Sequence, residues 1–334
     1  MFNGWGNMQM TRTGVSVAAV LACATAFPSG DALAAQNYPE KSIRMIVPYA
    51  PGGGSDISAR IICIGLNELL GTAIVVDNRP GASGMIGTEL AARSPPDGYT
   101  LLLADVPHTI NPFIYRKVSY DPIKDFTPIS LIATTPGLLA VHPSFAVRSV
   151  KEFIAAANAK PGQISFAHAG AGTVGHLTGV LFMLRTGTQF NQIPYKGGGP
   201  AIADVVAGQV QVVFASAPGA VPFVKSGRLR GLAVSTAKRS SLVPDLPTFE
   251  EEGVADLRIA NWYGVLAPAG TPKAIVERLN QAIGASAAMP VLRERLLGAL
   301  LEPVANTTAE FRVMLEGEAA RWSKLVKDAN VRAD

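Results

Sequence analysis

Hydrophobic and polar positions follow two patterns along the chain: short runs of aliphatic residues alternate with longer amphipathic segments. A first group predicts strand–helix–strand–helix–strand, with glycine or proline at most of the boundaries. Its strands are expected at 42–48, 73–77 and 99–104, with one helix at about 56–70 and a second ending before Pro95. This alternation predicts an α/β fold whose helices cover a mainly parallel sheet.

The same pattern restarts in the second half of the chain. Strands are predicted at 164–168, 191–195 and 210–215, and helices at 174–184 and 201–207. Two such units predict two α/β domains, each with its own sheet.

Two long apolar stretches, 129–142 and 257–267, flank the second unit and predict two crossings between the domains. The last helix carries an apolar face that can return to the first domain only if the chain crosses twice. We therefore expect a discontinuous first domain, 35–136 plus 259–334, and a second domain, 137–258. Trp262, in the second crossing, is either a wall of the cleft or a packing residue of the hinge.

The first 34 residues form a separate segment that resembles a secretory signal peptide. Its apolar stretch, Val15–Phe27, has 13 residues, whereas a membrane-spanning helix needs about 20. Cleavage is expected after Ala34, which places the protein in the periplasm. Lipid attachment at Cys23 is an alternative, and a start at Met8 or Met10 remains open.

Composition narrows the class of protein. With 48% hydrophobic and 16% charged residues, the chain is not intrinsically disordered. Its net charge of +4 is spread out, so no nucleic-acid partner or polybasic membrane tract is predicted. Cys63 is the single cysteine expected in the mature protein. Its apolar neighbours favour a buried side chain over a reactive thiol.

Glycine is abundant, with 33 residues, and clusters where the predicted strands lead into helices. In open α/β sheets ligands bind at these turns, and the free N–H groups of the following helix favour an anion. The turns therefore predict a shared anion-binding cleft, although each also has a plain role as a tight turn. They lie at 51–56, 81–84, 170–173 and 197–200.

Several catalytic interpretations are weaker than this one. Gly170–Gly175 matches a dinucleotide-binding pattern, but no acidic residue ends the next strand. The nucleophile motif G-x-S-x-G and the usual zinc-ligand spacings are absent from the sequence. We therefore predict no enzyme activity, no cofactor and no metal. Asp56 fits either the first turn of a helix or a role beneath a ligand, where it would orient Ser55, loop amides or water.

Six motifs in order resemble those of the Bug family, the TctC-like substrate-binding proteins of tripartite tricarboxylate transporters. They are YPEKSIRMIVPYAPGGGSD, VVDNRPGASGMIGTELAARSPPDGYTLL, INPFIY, AHAGAGTVGHL, PYKGGGPAIADVVAGQVQVVF and KRSSLVPDLPTFEEEG. The resemblance covers essentially the whole predicted mature chain.

The resemblance implies a type II periplasmic-binding-protein-like fold: two doubly wound α/β domains, joined by two crossover segments, with a ligand cleft between them. It further implies a protein that closes over a small carboxylated solute and, in some members of the family, presents it to a membrane permease. We expect a monomer. One ligand carboxylate is expected between the domains, held by main-chain groups and water. The matching residues are Gly53, Gly54, Ser55 and Asp56 on one side, and Gly170, Gly172, Thr173 and His176 on the other.

Further candidate ligand-binding residues come from the remaining turns and from two segments that depart from the family pattern, Asp105–His108 and Ala215–Pro218. They are Ala82, Ser83, His108, Lys196 and Ser216. Because the departures lie where the far end of the ligand is expected, the substrate of a relative cannot be transferred. Two other functions stay open: a sensor that hands its closed form to a signalling protein, and an exported hydrolase or lyase that uses His176 or His108.

Overall fold

The structure is a computed structural model that describes residues 37–240 and 243–328, together with Met1 and Gly4. The predicted signal peptide, the alternative lipid site at Cys23 and the predicted helical position Ala329 lie outside the described residues. Within the described part of the chain, no helix is both long and apolar enough to cross a membrane.

The first half of the chain forms the predicted strand–helix repeat. Strand β1 (Ile43–Val47) is central and pairs in parallel with β2 (Ile74–Asn78) on one side and with β3 (Thr100–Ala104) on the other. Helix α1 (Gly54–Leu70) is terminated by Gly71, whose φ of 66° is the left-handed conformation that glycine adopts most readily. The elements are β1 (Ile43–Val47), α1 (Gly54–Leu70), β2 (Ile74–Asn78), α2 (Met85–Ala92), β3 (Thr100–Ala104) and α3 (Val106–Ile114).

The second unit repeats the strand order of the first. Its central strand β5 (Ser165–His168) pairs in parallel with β6 (Asn191–Pro194) on one side and with β7 (Val212–Ser216) on the other. All three predicted strands and both predicted helices are confirmed, with shifts of at most three residues at their ends. The elements are α4 (Val150–Ala159), β5 (Ser165–His168), α5 (Val174–Thr186), β6 (Asn191–Pro194), α6 (Gly198–Val206), β7 (Val212–Ser216), α7 (Ala217–Lys225) and β8 (Arg230–Val234).

The two predicted crossings are the strands β4 (Phe126–Val141) and β9 (Ala260–Pro268), which lie side by side and antiparallel. The pairing partners of β4 change at Pro136–Gly137. Residues up to Pro136 pair with β9, whereas residues from Gly137 pair with β7 and β8. We call the described residues up to 136, together with those from 259 onwards, the first lobe; it includes β1, β2, β3, β9 and the C-terminal helices. The second lobe comprises residues 137–258.

The chain after β9 returns to the first lobe through α8 (Lys273–Ala288), α9 (Pro290–Gly298), the short strand β10 (Glu302–Pro303) and α10 (Thr308–Asp328). Phe311, Leu315, Trp322 and Val326 of α10 are buried, and the helix packs against α3 and β4, as its apolar face predicts. Cys63 is buried in the core beside α8, and burial raises the pKa of its thiol to about 12, which fits its predicted structural role.

The elements that the sequence analysis overlooked include α3, α4, α7 and β8. Helices α3 and α7 are short and interrupted by Pro112 and Pro222, so their hydrophobic period is incomplete. A start signal was nevertheless present, because Asp105 and Ser216 are favoured N-cap residues and a proline follows each of them two positions later. Both caps prove central to the site.

Candidate functional site

Two cavities lie at the carboxyl ends of the strands, on either side of the segment Ala169–Gly170. The inner cavity has a volume of about 30 Å³, space for a water molecule or one small polar group. Both lobes and Asn261 of β9 line it. The outer cavity has about 500 Å³ and is lined by the turn after β2, Tyr115, and residues that follow β5 and β6.

The turn before α1 brings main-chain groups to the inner cavity, and Asp56 organises this turn from behind. Its carboxylate accepts the Gly52 N–H at 3.0 Å and the Asn78 side-chain amide at 3.1 Å, and it also pairs with Arg60. Burial raises the pKa of Asp56, but these hydrogen bonds outweigh burial and hold the pKa below its usual range. Asp56 therefore remains ionised and shapes the turn without lining the cavity.

The turn before α5 is fixed by Thr173 and two histidines. Thr173 caps the helix by accepting the His176 N–H at 3.4 Å and donates its hydroxyl to the Gly170 carbonyl at 2.6 Å. The Nδ1 atoms of His168 and His176 accept the N–H groups of Gly170 and Gly172, at 3.3 and 3.2 Å. In the neutral rings the proton consequently lies on Nε2.

Both histidines stay neutral at pH 7. Burial lowers the pKa of His168 to about 4, and burial together with the neighbouring His168 lowers that of His176 to about 3. No group among the described residues bonds either Nε2 atom, and both residues line the outer cavity. Each can therefore donate one hydrogen bond to a ligand in the outer cavity.

Two N-cap residues turn their side chains into the inner cavity instead of capping their own helices. Asp105, before α3, accepts the Tyr49 hydroxyl at 3.0 Å and the Ser55 hydroxyl at 3.2 Å. Ser216, before α7, accepts the Tyr263 hydroxyl at 3.1 Å. Asp105 belongs to the first lobe and Ser216 to the second, so each lobe contributes the side chain of one N-cap residue to the inner cavity.

The lobes touch directly through their glycine turns. The Ala50 N–H donates to the Lys196 carbonyl at 3.0 Å across the cleft. A Cβ atom on Gly199 would lie 1.9 Å from the Pro51 carbonyl oxygen, and one on Gly53 would lie 3.1 Å from the Gly198 nitrogen. Part of the glycine excess therefore allows one lobe's backbone to approach the other's.

The predicted binding residues divide into three groups, and their roles in binding remain predictions. Gly53, Gly54, Ser55, Thr173 and Ser216 line the inner cavity. The outer cavity is lined by Ala82, Ser83, Gly170, His176 and Lys196. Asp56, Gly172 and His108 line neither cavity.

Gly172 packs across the cleft against α3, where a Cβ atom would lie 2.8–3.3 Å from Ile114, Ile110 and Asn111. The structure does not bring His108 to the cleft. It is the third residue of α3, its Nε2 contacts the Pro122 carbonyl, and its ring packs edge-on against Phe126. The residue that reaches the cavity from this segment is Asp105, which the sequence analysis did not select.

The remaining candidate, Trp262, lies in the hinge region. Trp262 is 3% exposed and packs against Phe311, in agreement with hinge packing and not with a cleft wall. A search of the described residues finds no cluster of three His, Cys, Asp or Glu side chains that could hold a metal ion.

Comparison with known proteins gives a consistent result. Residues 58–331 match the family model described as the tripartite tricarboxylate transporter family receptor. The chain is 35% identical over 302 residues to Protein BugT of Bordetella pertussis, covering 90% of this chain and 93% of that protein.

Solved structures give the same assignment. The structure resembles that of the periplasmic binding protein BugD with a TM-score of 0.86 and 33% identity, covering 88% of this chain and 99% of that one. It also resembles a protein of R. palustris solved with adipate, with a TM-score of 0.85, 36% identity and coverage of 88% and 99%. The predicted two-lobed α/β fold, similar to that of periplasmic binding proteins, is thereby confirmed.

Proposed function

Because the chain belongs to the tripartite tricarboxylate transporter receptor family, we propose that it is a periplasmic receptor that captures a small carboxylate between its two lobes. The captured solute is then presented to the membrane permease of a tripartite-type transporter. Export by the predicted signal peptide and a monomeric state are parts of this proposal.

The observation that carries the proposal is the meeting of helix starts at the inner cavity. Among the described elements, α1, α5, α6 and α7 each contribute residues from their first turn or N-cap, namely Gly54, Thr173, Gly198 and Ser216. Each helix start favours an anion by about 0.3–1 kcal/mol when exposed, and by up to about 2 kcal/mol when partly buried. Several helix starts together therefore favour a carboxylate that contacts both lobes at once.

The outer cavity supplies donors for the remainder of the ligand. His168 and His176 offer their Nε2–H groups, and the exposed Lys196 forms no ion pair among the described residues. The Ser83 hydroxyl, bonded to Tyr115 at 2.7 Å, lies on the opposite wall. We assign the second polar end of the ligand, such as the far carboxylate of a dicarboxylate, to these groups.

Capture follows from differential affinity for the closed form. The contacts between Ala50 and Lys196, and between Ser216 and Tyr263, join the two lobes in this structure. A carboxylate that bonds both lobes stabilises this form over an open one and shifts the equilibrium towards it. The hinge is assigned to the adjacent crossing strands at Pro136–Gly137 and Ala260.

An enzymatic role has less support. Ser55 Oγ is bonded to a carboxyl group, not to a histidine, and the free His176 Nε2 has no hydroxyl or thiol partner among the described residues. We therefore assign binding without turnover. Delivery to a signalling protein remains the alternative fate of the closed form, since both fates use the same capture step.

The proposal is tested by a thermal-shift screen of mono-, di- and tricarboxylates, aromatic acids and acidic amino acids, on protein first unfolded and refolded to remove bound solute. At least one carboxylate should raise the melting temperature at millimolar concentration. Its uncharged methyl ester serves as the control and should have no effect. No shift with any acid contradicts receptor function, and a converted solute detected by mass spectrometry contradicts binding without turnover.

A further inference from the structure

The inner cavity contains an acid where an anion is expected to bind. Asp105 lines the cavity beside Ser55 and the start of α1, and the residue is 6% exposed. Tyr49, Ser55 and Asn261 all bond its carboxyl group. No lysine, arginine or histidine side chain is present among the residues that line this cavity.

We propose that Asp105 is the specificity-determining residue of the inner cavity, and that it admits a ligand carboxylate only together with one proton, which Asp105 holds. This inference rests on the proposed function, since it requires that a carboxylate enters the cavity. The proton comes from water, stays on the Asp105 carboxyl group, and forms an O–H···O hydrogen bond to the ligand carboxylate.

Charge balance supports the shared proton. Two ionised carboxylates in a cavity of about 30 Å³ would lie within hydrogen-bond distance of each other, and like charges that close cannot both ionise. One proton between them leaves a single negative charge, which matches the helix starts around the cavity. Burial already raises the pKa of Asp105 to about 7, so protonation near neutral pH is accessible.

The other titratable groups around Asp105 do not change charge near neutral pH. Tyr49 and Tyr263 from the first lobe and the crossing strand are buried, and burial raises the pKa of both phenols. Burial raises the pKa of Tyr120 to about 12 and lowers that of His108, on α3, to about 4. The second lobe contributes no titratable side chain to the lining. A pH effect on binding between pH 6 and 9 that Asp105→Asn removes therefore reports on Asp105.

A ligand ammonium group is the competing way to neutralise the negative charge of the Asp105 carboxylate. The helix starts disfavour this arrangement, because their partial positive charges repel a cation. Glutarate and glutamate distinguish the two arrangements, since the two ligands have the same carbon chain and differ by one ammonium group.

The test measures glutarate, adipate and glutamate binding to the wild type and to Asp105→Asn by calorimetry between pH 6 and 9. The dicarboxylates remain ionised above about pH 6. We expect wild-type Kd values for the dicarboxylates to rise about tenfold per pH unit above pH 7, with uptake of one proton on binding. Asp105→Asn keeps the shape and supplies an N–H donor, so its affinity should be independent of pH and at least tenfold higher than the wild type's at pH 9.

Controls separate the possible outcomes. Asp245→Asn removes an exposed carboxylate and should bind as the wild type does. If Asp105→Asn does not fold, Asp105→Ser replaces it. Calorimetry of the wild type in two buffers of different ionisation enthalpy still shows whether one proton is taken up on binding. A pH-independent wild-type affinity for the dicarboxylates overturns the inference while leaving receptor function intact. Tight glutamate binding that Asp105→Asn abolishes also overturns it, and binding of no carboxylate by either protein contradicts the proposed function itself.

Discussion

The inner and outer cavities differ in what they are made from. The inner cavity consists mainly of helix starts, hydroxyl groups and one acid, contributed by both lobes and by β9. The outer cavity is lined by imidazole, phenol and ammonium groups that follow strands and turns. Helix starts are fixed by the fold, whereas side chains on turns can be replaced without changing it. The inner cavity therefore suits recognition of a carboxylate as a class of group, and the outer cavity suits discrimination between different carboxylates.

The largest expected effect comes from preventing the lobes from meeting at the inner cavity. In Gly199→Ala the new Cβ would lie 1.9 Å from the Pro51 carbonyl oxygen, which blocks the closed form without disturbing either lobe. We expect carboxylate affinity to fall about 100-fold, from an overpacking cost near 3 kcal/mol. Calorimetry measures this loss, and small-angle scattering should show that the carboxylate no longer compacts the protein.

Gly284→Ala is the matched control, because a Cβ there meets no atom within 4 Å. It should bind as the wild type does. Equal affinity of Gly199→Ala and the control would show that the contact between the glycine turns is not needed for capture.

A smaller effect is expected in the outer cavity, where the two nitrogen atoms of His176 can be tested separately. His176→Asn can still accept the Gly172 N–H but has no group at the Nε2 position, whereas His176→Gln retains a donor there. Losing one hydrogen bond to an ionised ligand costs about 1.5–3 kcal/mol, or about 10–100-fold in affinity. The asparagine variant should show this loss in calorimetry and the glutamine variant much less. Equal binding by both variants would contradict the donor role.

The smallest effect is expected from Asp56, which supports the inner cavity from outside. Asp56→Ala leaves the Gly52 N–H without its acceptor and removes one of the two acceptors of the Asn78 amide. It should weaken carboxylate binding about tenfold, since the loosened turn costs about 1–2 kcal/mol. His142→Ala is the control, because His142 bonds Ser144 at 2.7 Å and lines neither cavity. Equal losses of affinity in the two variants would contradict the role of Asp56 in supporting the inner cavity.

Much of the fold follows from local pattern. The two β-α-β series, the crossings and the returning C-terminal helix were predictable because strand and helix periods are local properties of the sequence. The glycine turns were predictable as a cleft because strand ends in such sheets meet at one edge. Helices α3 and α7 were not recognised because proline interrupts their period, although the residues that begin them carried a usable signal.

The direction in which a side chain points at a helix start was decided by tertiary structure. Asp105 and His108 are three residues apart, yet one faces the inner cavity and the other packs against Phe126. The sequence places both at the end of β3. Only the folded protein brings the hydroxyls of Tyr49 and Ser55 to the Asp105 carboxyl group, and their hydrogen bonds hold that group at the inner cavity. Likewise, the tautomers of His168 and His176 depend on glycine N–H groups that only the folded turn brings to Nδ1.

The sequence by itself determined the α/β architecture, the cleft and the family, because these depend on periodicity and on motifs. Tertiary structure decided how the candidate residues divide between two cavities and which acid lies among the helix starts. The physical reason is that hydrogen-bond partners such as Tyr49 and Asn261 are distant from Asp105 in sequence and become its neighbours only when the strands assemble.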